Sequence, residues 1–312
     1  MFKLHVFALT VGMALELFIG KVPGGFDPFL YIKKWIKYLD LALLGKDIIL
    51  IEPERQRRQG VWLLILALLP FTLLVLFFTM LFWEVSPVLA FIWEAFLSYI
   101  CLSGHNIYYG SHEVLSSYFE GGLEAANSTW EILFDEEINF SDENDMADRS
   151  ISYIARRTGD VVLGQALVLF AFGPVVGFAY RIIDLADSLV ACNDKRYRYF
   201  GYYVARLNHY VNFIPSVFAA RLSIFTASLP FNDFDKRNAK YIYMRDSIRG
   251  ENVNALRTLS AFAGALGLSL ENGRVGDMDR EIGYKDIKNA AYLMRNSYIV
   301  FEICLLILLI IC

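Results

Sequence analysis

Charge, cysteine and histidine are all scarce in this chain. Of 312 residues only 20% are charged, and there are 4 cysteines and 4 histidines. Cys101, Cys192, Cys304 and Cys312 are scattered through the sequence, without the spacing of a zinc site or a disulfide framework. His105 and His112 stand seven apart with no second ligand pair, so they read as core or surface histidines. There is no P-loop, no G-x-G-x-x-G after a strand, no G-x-S-x-G and no H-E-x-x-H, which removes the usual sequence signals of nucleotide loops, α/β-hydrolases and zincins.

What the chain has in excess is apolar surface. It is 56% hydrophobic with a mean hydropathy of +0.41, and it carries 25 Phe and 18 Tyr. This composition is far from that of a soluble domain. Residues 61–83, VWLLILALLPFTLLVLFFTMLFW, contain no charge and are long enough to cross a bilayer. Pro70 within them is tolerable in a membrane bundle, where neighbours satisfy the freed carbonyl. Further apolar segments lie at 4–20, 87–102, 161–180, 211–231 and 298–312. The first carries Glu16 and has no A-x-A-like cleavage site, so it reads as a retained helix and not a signal peptide. The pattern predicts an all-α fold: one domain over 1–312, a polytopic integral membrane helical bundle with cytoplasmic helical loops.

Basic residues mark the cytoplasmic side. Lys21, Lys33, Lys34, Lys37, Lys46, Arg55, Arg57 and Arg58 place the loop after the first segment there, and a basic region at 232–297 belongs on the same side. Segment 161–231 therefore crosses an even number of times, either as two full spans or as a re-entrant arrangement. Residues 105–160 form an acidic loop, including FDEEINFSDENDMADRS; it lacks a calcium-loop pattern and reads as a solvated face.

The most unusual polar stretch is 178–215, FAYRIIDLADSLVACNDKRYRYFGYYVARLNHYVNFIP. At helical spacing Arg181, Asp184 and Ser188 share a face, with Asp187 beside them. Ionisable groups bordering an apolar span are costly unless paired or hydrated. Two readings stay open: an Arg181–Asp184 pair that holds helices together, or a pocket in which Arg206, Arg245 and Arg249 grip phosphate through forked donors. In LSAFAGALGLSL, Ala263, Gly264 and Gly267 fall within about a turn, which favours close helix packing over ligand contact.

Several motifs in order resemble the CobD/CbiB membrane proteins of cobalamin biosynthesis, the adenosylcobinamide-phosphate synthases. They are AYRIIDLADSLVACNDKRYRYFG, an AR followed by VNFIP, RDSIRGENVN, AGALGLSL and GYKDIKNAAYLM. The resemblance runs through most of the chain. It implies an amide-forming ligase that joins adenosylcobyric acid to aminopropanol or its phosphate, with ATP and Mg²⁺ as cofactors. It also implies catalytic roles for Asp160 and Asp187. Contacts to substrate or phosphate fall to Tyr180, Arg181, Ser188, Tyr197, Arg206, Asn212, Arg245 and Asp246. The implied partners are a corrinoid or phosphate-bearing small molecule and membrane lipid in a bacterial inner membrane; a homo-oligomer is compatible with such a bundle, and nothing points to nucleic acid.

Departures from the family pattern fall on its carboxylates. Lys21 stands where I-G-D-P has its Asp, and Arg156 and Arg157 replace the Glu-Asn of A-E-N-x-x-D-G. Asn208 and His209 replace a D-D pair, Val253 interrupts S-P-N, and Leu259 replaces a Glu. Such changes remove ligands suited to Mg²⁺. The AmpE proteins linked to β-lactamase induction resemble the same scaffold without the synthase motifs, which implies a non-catalytic sensor or regulatory partner as the alternative.

Overall fold

The computed structural model describes residues 2–20, 22, 26–45, 52–191, 195–230, 233–250, 252–277 and 280–311. Lys21 lies outside them. The described residues are helical and contain no strand, only an isolated bridge between Leu270 and Val275. The helices are α1 (Phe2–Ile19), α2 (Pro28–Leu44), α3 (Pro53–Val85), α4 (Pro87–Cys101), α5 (Gly104–Phe134) and α6 (Glu143–Arg157). A π-helical turn at Thr158–Val162 leads into α7 (Leu163–Val190), followed by α8 (Tyr202–Val211), α9 (Phe213–Ala227), α10 (Lys236–Asp246), α11 (Val253–Leu266) and α12 (Tyr284–Ile311).

Local chemistry sets where these helices begin. Proline opens α2, α3 and α4, at the position where its missing N–H costs nothing. Asp27, Ser86, Asp142, Asp235 and Asn252 accept first-turn amides of the helices that follow them, satisfying donors that a helix leaves orphaned. Helix α6 also has Glu143 and Asp145 in its first turn and Arg156 and Arg157 in its last, which complements its dipole. The 105–160 stretch expected as an acidic loop is thus mainly helix. Its carboxylates are compatible with that because several of them sit at helix starts.

Five helical stretches are long and apolar enough to cross a membrane, or six if the bent pair α8 and α9 counts as one span. This is an all-α polytopic membrane protein. The α8–α9 pair bends by 48°, the geometry of a broken span or a re-entrant loop.

The chain forms two compact units interleaved in sequence. The first comprises residues 1–15, 21–102 and 165–213, and the second 16–20, 103–164 and 214–312. Within the first, α3 packs against α2, α4 and α8. Helix α7 is broken at Gly173, whose φ is 83°, followed by Pro174. The His5 ring donates from Nε2 to the Leu169 carbonyl at 3.1 Å, just before the break. The Nδ1 side of His5 meets Glu94 Oε2 at 3.0 Å, and Trp83 donates to Glu94 Oε1 at 2.9 Å. Glu94, an interruption in an apolar run, is thereby held from two directions.

In the second unit α10 and α11 pack most closely, α12 lies against α5 and α6, and α11 against α6. A Cβ on Gly264 would stand 2.6 Å from the Asn238 carbonyl oxygen and 2.7 Å from Ala239 Cα. Only glycine permits that approach.

Candidate functional site

The residues of α7 and α8 singled out in the sequence converge in the first unit. Asp187 lies on α7 and Asn208 on α8, and the Asn208 amide donates to Asp187 Oδ2 at 2.7 Å. A carboxylate only accepts, so Asn208 must present its NH₂ there. Its Oδ1 then accepts from the Asn212 amide at 2.8 Å, and Asn212 Oδ1 accepts from the Tyr180 hydroxyl. Four side chains form a directional row of donors, Tyr180 to Asn212 to Asn208 to Asp187. Tyr180 and Asn212 are buried, and the row ties the bend between α8 and α9 to α7.

One turn earlier, Arg181 Nη1 donates to Asp184 Oδ2 at 2.9 Å, with the guanidinium 5.9 Å from the Phe29 ring centroid. Arg181 and Asp184 do pair, but within α7, so the pair itself joins no two helices. Ser188 is exposed and returns its hydroxyl to the Leu185 carbonyl at 2.9 Å. Arg206 is exposed, with its fork on the hydroxyls of Tyr202 and Tyr210 at 3.0–3.2 Å. His209 lies against the Tyr210 ring.

A second polar group in this unit surrounds Asp40 of α2, which the sequence reading passed over. Tyr197 donates to Asp40 Oδ2 at 2.9 Å, and Arg196 donates to Asp40 Oδ1 at 3.3 Å and to the Gly45 carbonyl at 2.6 Å. Burial and the adjacent Asp40 carboxylate push the Tyr197 phenol above its ordinary range. The available signal was the one carboxylate of α2, set one to two turns after Lys33, Lys34 and Lys37.

Arg245 and Asp246 belong to the second unit. Arg245 spans both Asp246 oxygens at 2.7 Å and reaches Asp277 Oδ1 at 2.6 Å. Asp246 also accepts from the Gly276 amide at 3.0 Å and from Arg249 at 3.1 Å. Burial tends to raise the Asp246 carboxyl, but Arg245, the Gly276 amide and Arg249 outweigh it and hold it below the usual carboxylate range. The forked donors of Arg245 are engaged by carboxylates of the chain itself. Nearby in sequence, buried Arg257 donates to Ser216 Oγ at 2.9 Å and Asn254 Oδ1 at 3.0 Å, while Val253 starts α11 and Leu259 is fully buried in it.

Arg156 and Arg157, at the end of α6, also lie in the second unit. Arg156 forms an ion pair with Glu271 and feels the charges of Asp160, Asp148 and Glu136. Arg157 lies over the Tyr153 ring at 5.8 Å. Asp160 sits inside the π-helical turn, a geometry enriched at functional positions. Asp148 accepts the Glu271 and Asn272 amides at 2.9 and 3.0 Å, so α6 holds the 271–272 turn by backbone as well as by charge.

Among the described residues no group of three or more His, Cys, Asp or Glu side chains is placed to hold a metal ion, and Asp187 faces an amide N–H of Asn208. A divalent ion needs several oxygens converging on one point. This donor set does not fit it.

A family model described as CobD/Cbib protein matches residues 9–294. Three curated relatives are each named cobalamin biosynthesis protein CobD. That of Streptococcus sanguinis is 25% identical over 222 residues, 68% of this chain and 70% of the relative. That of Brucella melitensis is 26% identical over 278 residues, 87% and 83% of the two chains. That of Pelobacter propionicus is 29% identical over 176 residues, 56% of this chain and 54% of the relative's length. No solved structure matches the chain. A match covering nearly all of the sequence, on a helical membrane scaffold with the family's motifs in order, shows that the chain belongs to the CobD/CbiB family.

Proposed function

We propose that this chain is an inner-membrane protein of cobalamin biosynthesis that keeps the polar framework for a corrinoid or phosphate-bearing small molecule but does not carry out the ATP- and Mg²⁺-dependent amide formation of the synthases. The observation that carries this reading is the donor row ending at Asp187. Where the family pattern has D-D, two ionised carboxylates would both be acceptors and would call for a cation between them. Asn208 supplies an N–H in that place, and the row closes without a cation. Arg156 and its pairing with Glu271 support the same reading, because positive charge stands where a Glu is expected.

The test is complementation. A cobalamin producer lacking its own synthase and fed cobyric acid forms no cobinamide phosphate; this chain is expected to leave it so, while an ordinary family member restores the product. Restoration by this chain would overturn the proposal.

A second reading is a non-catalytic sensor or partner of the AmpE kind, favoured by the engagement of Arg245 and Arg156 with the protein's own carboxylates. Corrinoid titration separates the two. Saturable cobinamide binding to the purified protein, weakened by Tyr180→Phe, supports the first; absence of binding supports the sensor.

A further inference from the structure

In the first unit, where α3 meets residues 198–206, a row of cations runs without anions. Arg57 of α3 lies over two rings at once, its guanidinium carbon 5.7 Å from the Tyr199 centroid and 4.8 Å from that of Tyr202. Arg198 shares the Tyr199 ring at 5.7 Å, and Arg206 shares the Tyr202 ring at 6.0 Å. Two tyrosines thus link three guanidiniums. Ring faces attract cations, but they bring no negative charge to set against the mutual repulsion of three positive ones.

The chain supplies no counter-charge. Among the described residues neither Arg57 nor Arg198 has a hydrogen-bond or ion-pair partner, and the Nε of Arg57 is buried without one. Arg206 places its donors on the hydroxyls of Tyr202 and Tyr210 and not on a carboxylate. Elsewhere the protein treats its arginines differently: Arg181, Arg196, Arg245 and Arg280 are each paired with an Asp. Arg198, Tyr202 and Arg206 are exposed, so an anion from outside the chain reaches the row.

Its depth along α3 decides what that anion is. A Cβ on Gly60 would collide with the Phe200 carbonyl oxygen, so Phe200 lies against α3 one residue before the uncharged run 61–83 begins. Tyr199 and Tyr202 flank this contact, and Arg57 stands three residues before it, about 4.5 Å along the helix axis. The row therefore occupies the mouth of an apolar span, at the level of lipid headgroups, where tyrosine and basic residues gather. Anionic phosphodiesters are concentrated at that level.

We propose that Arg57, Arg198 and Arg206 form a headgroup site for a phospholipid carrying two phosphodiesters, of the cardiolipin type. One phosphodiester offsets a single guanidinium; two joined by a short glycerol bridge bring both charges to a row whose members all lie within about 6 Å of a shared ring. The unengaged forks of Arg57 and Arg198 take phosphate oxygens. Arg206, with its donors on tyrosines, adds positive field and holds Tyr202 in place. Further along α3, Trp62 and Leu69 are exposed seven residues apart and offer apolar surface to the acyl chains. This surface site is independent of whatever small molecule the Asp187 row serves.

The full chain is reconstituted in phosphatidylcholine nanodiscs doped with cardiolipin, or with twice the molar amount of phosphatidylglycerol so that the phosphate charge is equal, and thermal unfolding is followed. Cardiolipin is expected to raise the midpoint by about 2–4 °C over phosphatidylglycerol. Arg57→Gln and Arg198→Gln should each remove most of that difference. Arg55→Gln, which takes the same charge from an exposed residue of α3 outside the row, should leave it intact. Should Arg57→Gln not fold, Arg198→Gln, at an exposed side chain, reads the same row. Equal midpoints at equal phosphate charge overturn the proposal, because attraction to any anionic surface would then suffice. So does a difference that survives in the Arg198→Gln variant, or one that Arg55→Gln reduces as much. Inorganic pyrophosphate that protects the protein in detergent as well as added cardiolipin does would also overturn it, by showing a site for free phosphate and not for a lipid.

Discussion

Asn208 of α8 donates its amide to Asp187 of α7 at 2.7 Å, so a neutral side chain satisfies a carboxylate. The consequence is testable by placing a carboxylate at 208. Asn208→Asp removes the donor and sets two acceptors against each other. The expected cost at pH 7 is about 1–3 kcal/mol, read as a fall of several degrees in the unfolding midpoint in detergent. Millimolar Mg²⁺ is expected to recover part of it in the variant and to leave the parent chain unchanged. A variant as stable as the parent, or one indifferent to Mg²⁺, would refute this account of the row.

The Arg245–Asp246 pair makes a prediction about pH. Asp246 has 1% of its side chain exposed and is held below the ordinary carboxylate range. A carboxyl whose folded pKa is depressed contributes stability that is full above its unfolded pKa, about 4, and is lost as pH falls through the folded value. The parent chain should therefore lose midpoint steadily below about pH 4. Asp246→Asn should remove this part of the acid dependence and cost roughly 3 kcal/mol at pH 7, since it strips one partner from a buried ion pair. Parallel midpoint-versus-pH curves for the two proteins would contradict the assignment.

Helix content and the apolar spans were legible in the sequence because both are local properties: uncharged runs at 61–83 and 161–180, and proline or Asp at helix starts. The Arg181–Asp184 pair was legible for the same reason, being three residues apart on one helix. Partners distant in sequence were not. Asp40 meets residues 196 and 197, and Glu94 meets His5 across the chain; spacing carries no information about such pairs. The 105–160 stretch was misjudged because its carboxylate density obscured the capping positions of α6 and the apolar face of α5. Arg156 ends α6, and its ion pair with Glu271 depends on a turn more than a hundred residues away.

Glu94 gives a third prediction. It accepts from Trp83 and meets His5, which also reaches the Leu169 carbonyl beside the break in α7. Glu94→Leu takes away the acceptor of the half-buried Trp83 Nε1 and the partner of the half-buried His5 Nδ1. Hydrogen bonds of this sort between membrane helices are worth about 0.6–1.7 kcal/mol each, so a loss near the sum of two is expected. Glu94→Gln, which keeps an acceptor for Trp83, should lose about half as much. Unfolding in a mixed-micelle titration would show the ordering; Glu94→Gln at or below Glu94→Leu would argue against it.

Gly264 tests whether AGALGLSL serves packing. A methyl group there would stand 2.6 Å from the Asn238 carbonyl oxygen and 2.7 Å from Ala239 Cα, both backbone atoms of α10. Asn238 also donates its amide to the Gly264 carbonyl at 3.0 Å, so separating the helices stretches this bond as well. Gly264→Ala is expected to cost about 1–3 kcal/mol by overpacking. Because the obstacle is backbone, trimming the neighbouring side chain with Ala239→Gly should not rescue it. A neutral Gly264→Ala variant, or full rescue by the double variant, would show that α10 and α11 do not meet this closely. If the glycine instead contacted a ligand, stability would hold and ligand binding would fall, an outcome distinguishable in the same samples.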